Sequence, residues 1–164
     1  ARAELGATLL ARTRRRAEPL ALLVFDFDDL GDVQKLYGLR ARRQTLAFIG
    51  RRLRRLAGGR GLALRLSRSR FLVLLPNCTD VLALELARAK LGSSCSFELD
   101  SAKHELVLVP RLTALCATAQ TRSIEELLHT VQPPRLRPRA GGPVPATGLA
   151  LAPRPRAELV STGS

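Results

Sequence analysis

The chain has 164 residues, 46% hydrophobic and 25% charged, with a formal net charge of +13. That length suits one domain with its own core, the apolar fraction excludes a wholly disordered chain, and no apolar run approaches the roughly 20 residues of a membrane-spanning helix. The positive charge is almost all arginine and is uneven: eleven Arg and no acid lie from Arg40 to Arg70, whereas Asp26, Asp28, Asp29 and Asp32 crowd the stretch before.

Residues 1–17 place Leu5, Leu9 and Leu10 ahead of Arg12, Arg14, Arg15 and Arg16. This predicts an amphipathic helix whose basic end favours the negative pole of the helix dipole. After Pro19, six apolar residues from Leu20 to Phe25 run into the acids and predict a strand over 20–27 buried on both faces. Gly31 is expected to break the chain there and Asp32 to cap the next helix. A long helical region over 32–57, interrupted near Tyr37-Gly38, carries Leu46, Ile49, Leu53 and Leu56 on one face and stops at Gly58-Gly59.

Two short strands come next, over 62–66 and 71–75, joined by Ser67-Arg68-Ser69-Arg70 as a hairpin turn. Thr79 or Asp80 caps a helix over 81–91, with Leu82, Leu86 and Ala89 expected to face inward. Segments 96–99 and 105–109 predict a second hairpin turning at 100–103, then a strand over 112–119 and a helix over 123–131. Ser123 and Glu126 form a capping box for that last helix. From Pro133 onward, prolines punctuate Ala, Gly and Arg with little apolar pattern, so 133–164 is expected to be a flexible tail or linker.

The element order contains a βαββαβ core. It predicts an α/β (α+β) sandwich: a central mixed, mostly antiparallel sheet of about five strands flanked by helices, over residues 1–132. Acids at the carboxyl end of a central strand stand where open α/β sheets place ligand crevices. Cys78, Cys95 and Cys116 are odd in number, with no Cys-x-x-Cys spacing, so they read as reduced, buried thiols of a cytoplasmic protein rather than zinc ligands. His104 and His129 fit no ligand or triad pattern and read as structural. With no Met and no signal peptide, the sequence is expected to be a domain of a larger protein.

Asp26-Phe27-Asp28, then Tyr37-Gly38, the long helix, and a hairpin entering Phe71-Leu72-Val73-Leu74-Leu75-Pro76 together resemble the GGDEF family of diguanylate cyclases. The stretch Leu112-Thr113-Ala114-Leu115-Cys116-Ala117 is similar to that family's Val-Thr-x-Ser-x-Gly strand, and the resemblance covers about residues 4–131. The family's Gly-Gly-Asp/Glu-Glu-Phe signature falls on Ser67, Arg68, Ser69, Arg70 and Phe71, of which Phe71 alone matches. The resemblance implies a metal held by Asp26 and by an acid at the position of Ser69. That leaves Asp26 as a vestige, with no metal and no cofactor. The guanine-contacting pair falls on Gln34 and Arg43, and a guanidinium has no acceptor for the base's N–H groups. The inhibitory Arg-x-x-Asp falls on Gly58-Gly59-Arg60-Gly61, and the last helix with its phosphate-binding Lys and Arg is displaced by Pro133 and Pro134.

The sequence therefore predicts no enzyme, but a degenerate GGDEF-like domain. Its expected role is a regulatory, dimerisation or protein-interaction module in bacterial cyclic di-GMP signalling or exopolysaccharide secretion, partnered by other protein domains or a second copy. The resemblance implies the exposed face of the first helix as the dimer contact. One alternative is a non-catalytic receptor for cyclic di-GMP or GTP that uses Gln34, Arg60, Arg65, Arg68 and Arg70. Another is a nucleic-acid-binding surface along Arg40–Arg70, disfavoured by an aromatic content of 4% and the lack of any reader motif.

Overall fold

The computed structural model describes residues 2–100 and 105–131. Its elements run α1 (Arg2–Arg15), β1 (Leu20–Asp26), α2 (Leu30–Tyr37), α3 (Leu39–Ala57), β2 (Leu62–Arg65) and β3 (Arg70–Pro76). They continue as α4 (Asp80–Leu91), β4 (Phe97–Asp100), β5 (Glu105–Leu108), β6 (Arg111–Ala117) and α5 (Ile124–Leu128). The expected 133–164 tail, most of the 100–103 turn and His104 lie outside the described residues.

Every residue of β1 is buried, because both faces of the strand are covered. Alternation sends Ala21, Leu23 and Phe25 to one side, where they meet Ile49, Leu53 and Leu56 of α3 and Ala83, Ala87 and Leu91 of α4. Leu20, Leu22 and Val24 go to the other side, against Leu9 and Leu10 of α1 and Ile124 of α5. The result is the expected sandwich of helices on both faces of one sheet.

The main sheet has four strands in the order β2-β3-β1-β6. Its three ladders are all antiparallel. The β4–β5 hairpin stands apart as a two-stranded sheet, so the expected count of about five becomes four and two. That hairpin delivers Phe97, Leu106 and Leu108 to the α3–α4 side of the core instead of extending the sheet edge. Phe97 meets Phe25, Phe27 and Phe48 edge-on, with centroids 6.3, 5.2 and 6.4 Å away.

Two local expectations are corrected. Gly31 lies inside α2 and does not break the chain; Asp29 occupies the N-cap position and Asp32 the first turn, because buried Leu30 and Val33 pull that turn onto the core. In α4 the inward residues are Ala83, Ala87 and Leu91, while Leu82 and Ala89 are exposed and Leu86 is half-buried. Small side chains let α4 approach the sheet closely, and the Thr79 hydroxyl, accepting from the Leu82 N–H at 3.2 Å, fixes its rotation. The break before α3 falls at Gly38, whose φ of 96° suits glycine, and α3 ends at Gly58, with φ 71°. Cys78 and Cys95 are free and buried, Cys116 is free and half-buried, and burial raises the thiol pKa of the first two.

Candidate functional site

The antiparallel register places Asp26, the last residue of β1, opposite Arg70 on one side and Arg111 on the other. Arg70 closes on Asp26 as a fork: Nε donates to Oδ1 at 2.7 Å and Nη2 to Oδ2 at 3.1 Å. Its remaining nitrogen, Nη1, donates to the Val131 carbonyl at 3.0 Å. The pair is largely out of solvent, with side chains 12% and 6% exposed. Bidentate geometry in a low-dielectric position is the strong form of this contact.

Arg111 turns instead to Asp28, with Nε to Oδ2 at 3.0 Å and Nη2 to Oδ1 at 3.3 Å. Asp29, the next acid, is buried, and its pKa is pushed up to about 6 by burial first and then by the Asp28 and Asp32 charges. Asp32 is exposed on α2. The four acids thus divide into two arginine pairs, one buried carboxyl and one solvated carboxylate.

The turn at 67–70 is pinned to the end of β1. The Phe27 N–H donates to the Ser69 carbonyl at 2.8 Å, and the Leu66 N–H to the Arg70 carbonyl at 2.8 Å. Arg65 donates to the Ser67 carbonyl at 3.0 Å and to the Arg68 carbonyl at 3.3 Å, while its guanidinium lies over the Phe71 ring. Arg42 reaches the same Arg68 carbonyl at 3.3 Å from α3, with its Nε buried and unpartnered. Phe71 is buried and meets Phe27 edge-on at 5.6 Å, so the signature position that matches the family is a core residue.

The expected nucleotide-contacting residues do not form one group. Arg65 and Arg70 are engaged below the turn, and Arg68 is exposed at its tip. Gln34 is exposed on α2, and Arg60 is exposed before β2, about 16 Å of extended chain from Arg65. Sequence reasoning missed Arg111 and Arg42. Arg111 could have been found from its place at the start of a strand that must pair with the acid-tipped one. Arg42 could have been found by its helical phase, on the sheet side of α3.

The residues present do not fit a divalent ion. Both oxygens of Asp26 accept from Arg70, the residue that would supply a second carboxylate is Ser69, and a fixed guanidinium already neutralises the site. Among the described residues no cluster of three His, Cys, Asp or Glu could hold a metal. The inhibitory motif is barred by backbone as well as by sequence. Gly58 sits at φ 71°, and a Cβ on Gly61 would stand 2.5 Å from the carbonyl oxygens of both Ala57 and Leu74.

Comparison with known proteins places the fold. The profile described as "Diguanylate cyclase, GGDEF domain" matches residues 3–133. Among solved structures, a sensory box/GGDEF family protein from Caulobacter crescentus is 22% identical, with a TM-score of 0.67 over 77% of this chain and 82% of that one. The GGDEF domain of DgcB from Caulobacter crescentus, solved in complex with c-di-GMP, is 12% identical, with a TM-score of 0.65 over 77% and 75%. Diguanylate cyclase SiaD from Pseudomonas aeruginosa, solved with its activator SiaC, is 17% identical, with a TM-score of 0.62 over 77% and 49%. At these identities the likeness is one of fold. No curated protein matches.

Proposed function

The chain belongs to the GGDEF family of diguanylate cyclase domains, and we propose that it has left catalysis and serves a cyclic di-GMP signalling protein as a regulatory, partner-binding domain. The observation that carries this reading is the Arg70 fork on Asp26. Nucleotide cyclisation requires a metal to offset triphosphate charge and polarise the phosphoryl group. Here the carboxylate nearest to that task is saturated by a side chain of the chain itself. One metal carboxylate replaced by Ser69 and the other occupied by Arg70, with the core strands kept, is the pattern of a fold kept for its surfaces. SiaD, a structural neighbour, was solved in complex with a protein activator, SiaC, which supports looking for a protein partner here.

Two measurements test the proposal. Incubating the chain with GTP and Mg²⁺ is expected to give no cyclic dinucleotide; turnover that Asp26→Ala removes would overturn it. Titration calorimetry with cyclic di-GMP is expected to give no saturable heat. Micromolar binding lost in Arg68→Ala, at an exposed position whose substitution leaves the Asp26–Arg70 pair in place, would replace the scaffold by a nucleotide receptor.

A further inference from the structure

Helix α3 carries seven arginines and no acid in 19 residues. At 3.6 residues per turn, Arg40, Arg43, Arg51, Arg54 and Arg55 fall within about 60° of the line opposite buried Ile49. They form one outward stripe about 22 Å long, and all five are exposed. Among the described residues no ion pair joins an acid to any of these five arginines. The basic surface continues onto α4, where Arg88 and Lys90 are exposed and Arg52 ties the two helices by donating to the Lys90 carbonyl at 3.5 Å.

Beside the start of the stripe the chain exposes two leucines, Leu36 at 64% and Leu39 at 46%, on either side of Gly38. Lys35, Arg40 and Arg43 flank them in sequence and are exposed. A leucine pair held out between cations is the surface counterpart of an interface whose anions lie above an apolar layer.

We propose that the outer face of α3, with the Leu36–Leu39 corner, is a docking surface for an anionic lipid bilayer. Arginines meet headgroup phosphates as bidentate donors, and the two leucines enter the boundary below them. Charge complementarity selects this occupant. A second copy of the same face would bring arginine against arginine. A nucleic-acid backbone or a purely acidic peptide satisfies the arginines but gives the leucines nothing apolar to enter. This surface is independent of the site at Asp26.

The test is co-sedimentation of the full chain with vesicles of phosphatidylglycerol and phosphatidylcholine, against phosphatidylcholine alone. Anionic vesicles are expected to bind at least tenfold more tightly, with the advantage shrinking as salt rises. Substituting Arg40, Arg43, Arg51, Arg54 and Arg55 by Gln should cost about 100-fold or more. Leu36→Ser with Leu39→Ser should cost several-fold and remain visible at high salt. All these positions are exposed, and circular dichroism checks that the variants stay folded. Equal binding to both vesicles, or binding unchanged in the five-arginine variant, would overturn the proposal. So would stripe-dependent capture of polyglutamate or duplex DNA that anionic vesicles cannot displace.

Discussion

Asp26 and Arg70 face each other across the β1–β3 ladder and are joined by two hydrogen bonds with almost no solvent between them and the core. Neither group is comfortable there alone, since a buried charge left without its partner bears its full desolvation penalty. Arg70→Ala is therefore expected to destabilise the fold by about 3–5 kcal/mol. Asp26→Asn/Arg70→Met should cost much less than the sum of its two single substitutions. Urea unfolding of the four proteins gives the coupling energy, and additive effects would contradict a tight pair.

The Asp28–Arg111 pair has similar geometry but side chains 42% and 50% exposed. Water and salt screen it, and holding two long side chains in place offsets much of the attraction. Asp28→Asn or Arg111→Gln should change stability by at most about 1 kcal/mol, and less in 0.5 M salt. The same unfolding series reports both pairs, so their contrast tests burial as the deciding variable.

Gly61 is held where a side chain cannot go, between the carbonyls of Ala57 and Leu74. Gly61→Ala is expected to force the α3–β2 connection apart and cost about 2 kcal/mol or more. Gly61→Asp, which restores the acid of the family's inhibitory motif, should be worse still and should not create a cyclic di-GMP site. Thermal unfolding ranks the two; a Gly61→Asp protein as stable as the parent would show that the backbone yields easily.

How much of this was legible depends on where the signals lie. Strand β1 was readable because six apolar residues end sharply in acids, and the α2–α3 break because Gly38 supplies a positive φ that its neighbours cannot. The inward face of α4 was not, because it is built on Ala83 and Ala87, and an expectation that favours leucine over alanine rotates the helix the wrong way. The Arg111–Asp28 pair joins residues 83 apart in sequence, so it needs the strand register that only the folded sheet provides. Arg70 was legible as a departure from the family signature at the hairpin turn. What the sequence could not convey is that each of its three guanidinium nitrogens is engaged, two with Asp26 and one with the Val131 carbonyl.

Asp29 gives the fold a pH dependence whose sign can be worked out. Its pKa stands at about 6 in the folded chain against 3.8 for the free group, chiefly through burial. The native state then holds a proton that the unfolded chain releases earlier, so this residue's contribution falls as pH rises between about 4 and 6 and is a constant penalty above. The position of Asp29 at the α2 N-terminus works the other way, because the helix dipole favours the carboxylate, which limits the penalty to about 1–3 kcal/mol. Asn keeps the size of Asp without the charge, and Asp29 makes no side-chain capping hydrogen bond that the change would remove. Asp29→Asn is thus expected to be more stable than the parent at pH 7.5, with the difference vanishing below pH 4. Added salt should reduce only the part due to Asp28 and Asp32, leaving the burial part in place. Unfolding curves across that pH range decide it, and a parent that gains stability relative to Asp29→Asn as pH rises would reverse the assignment.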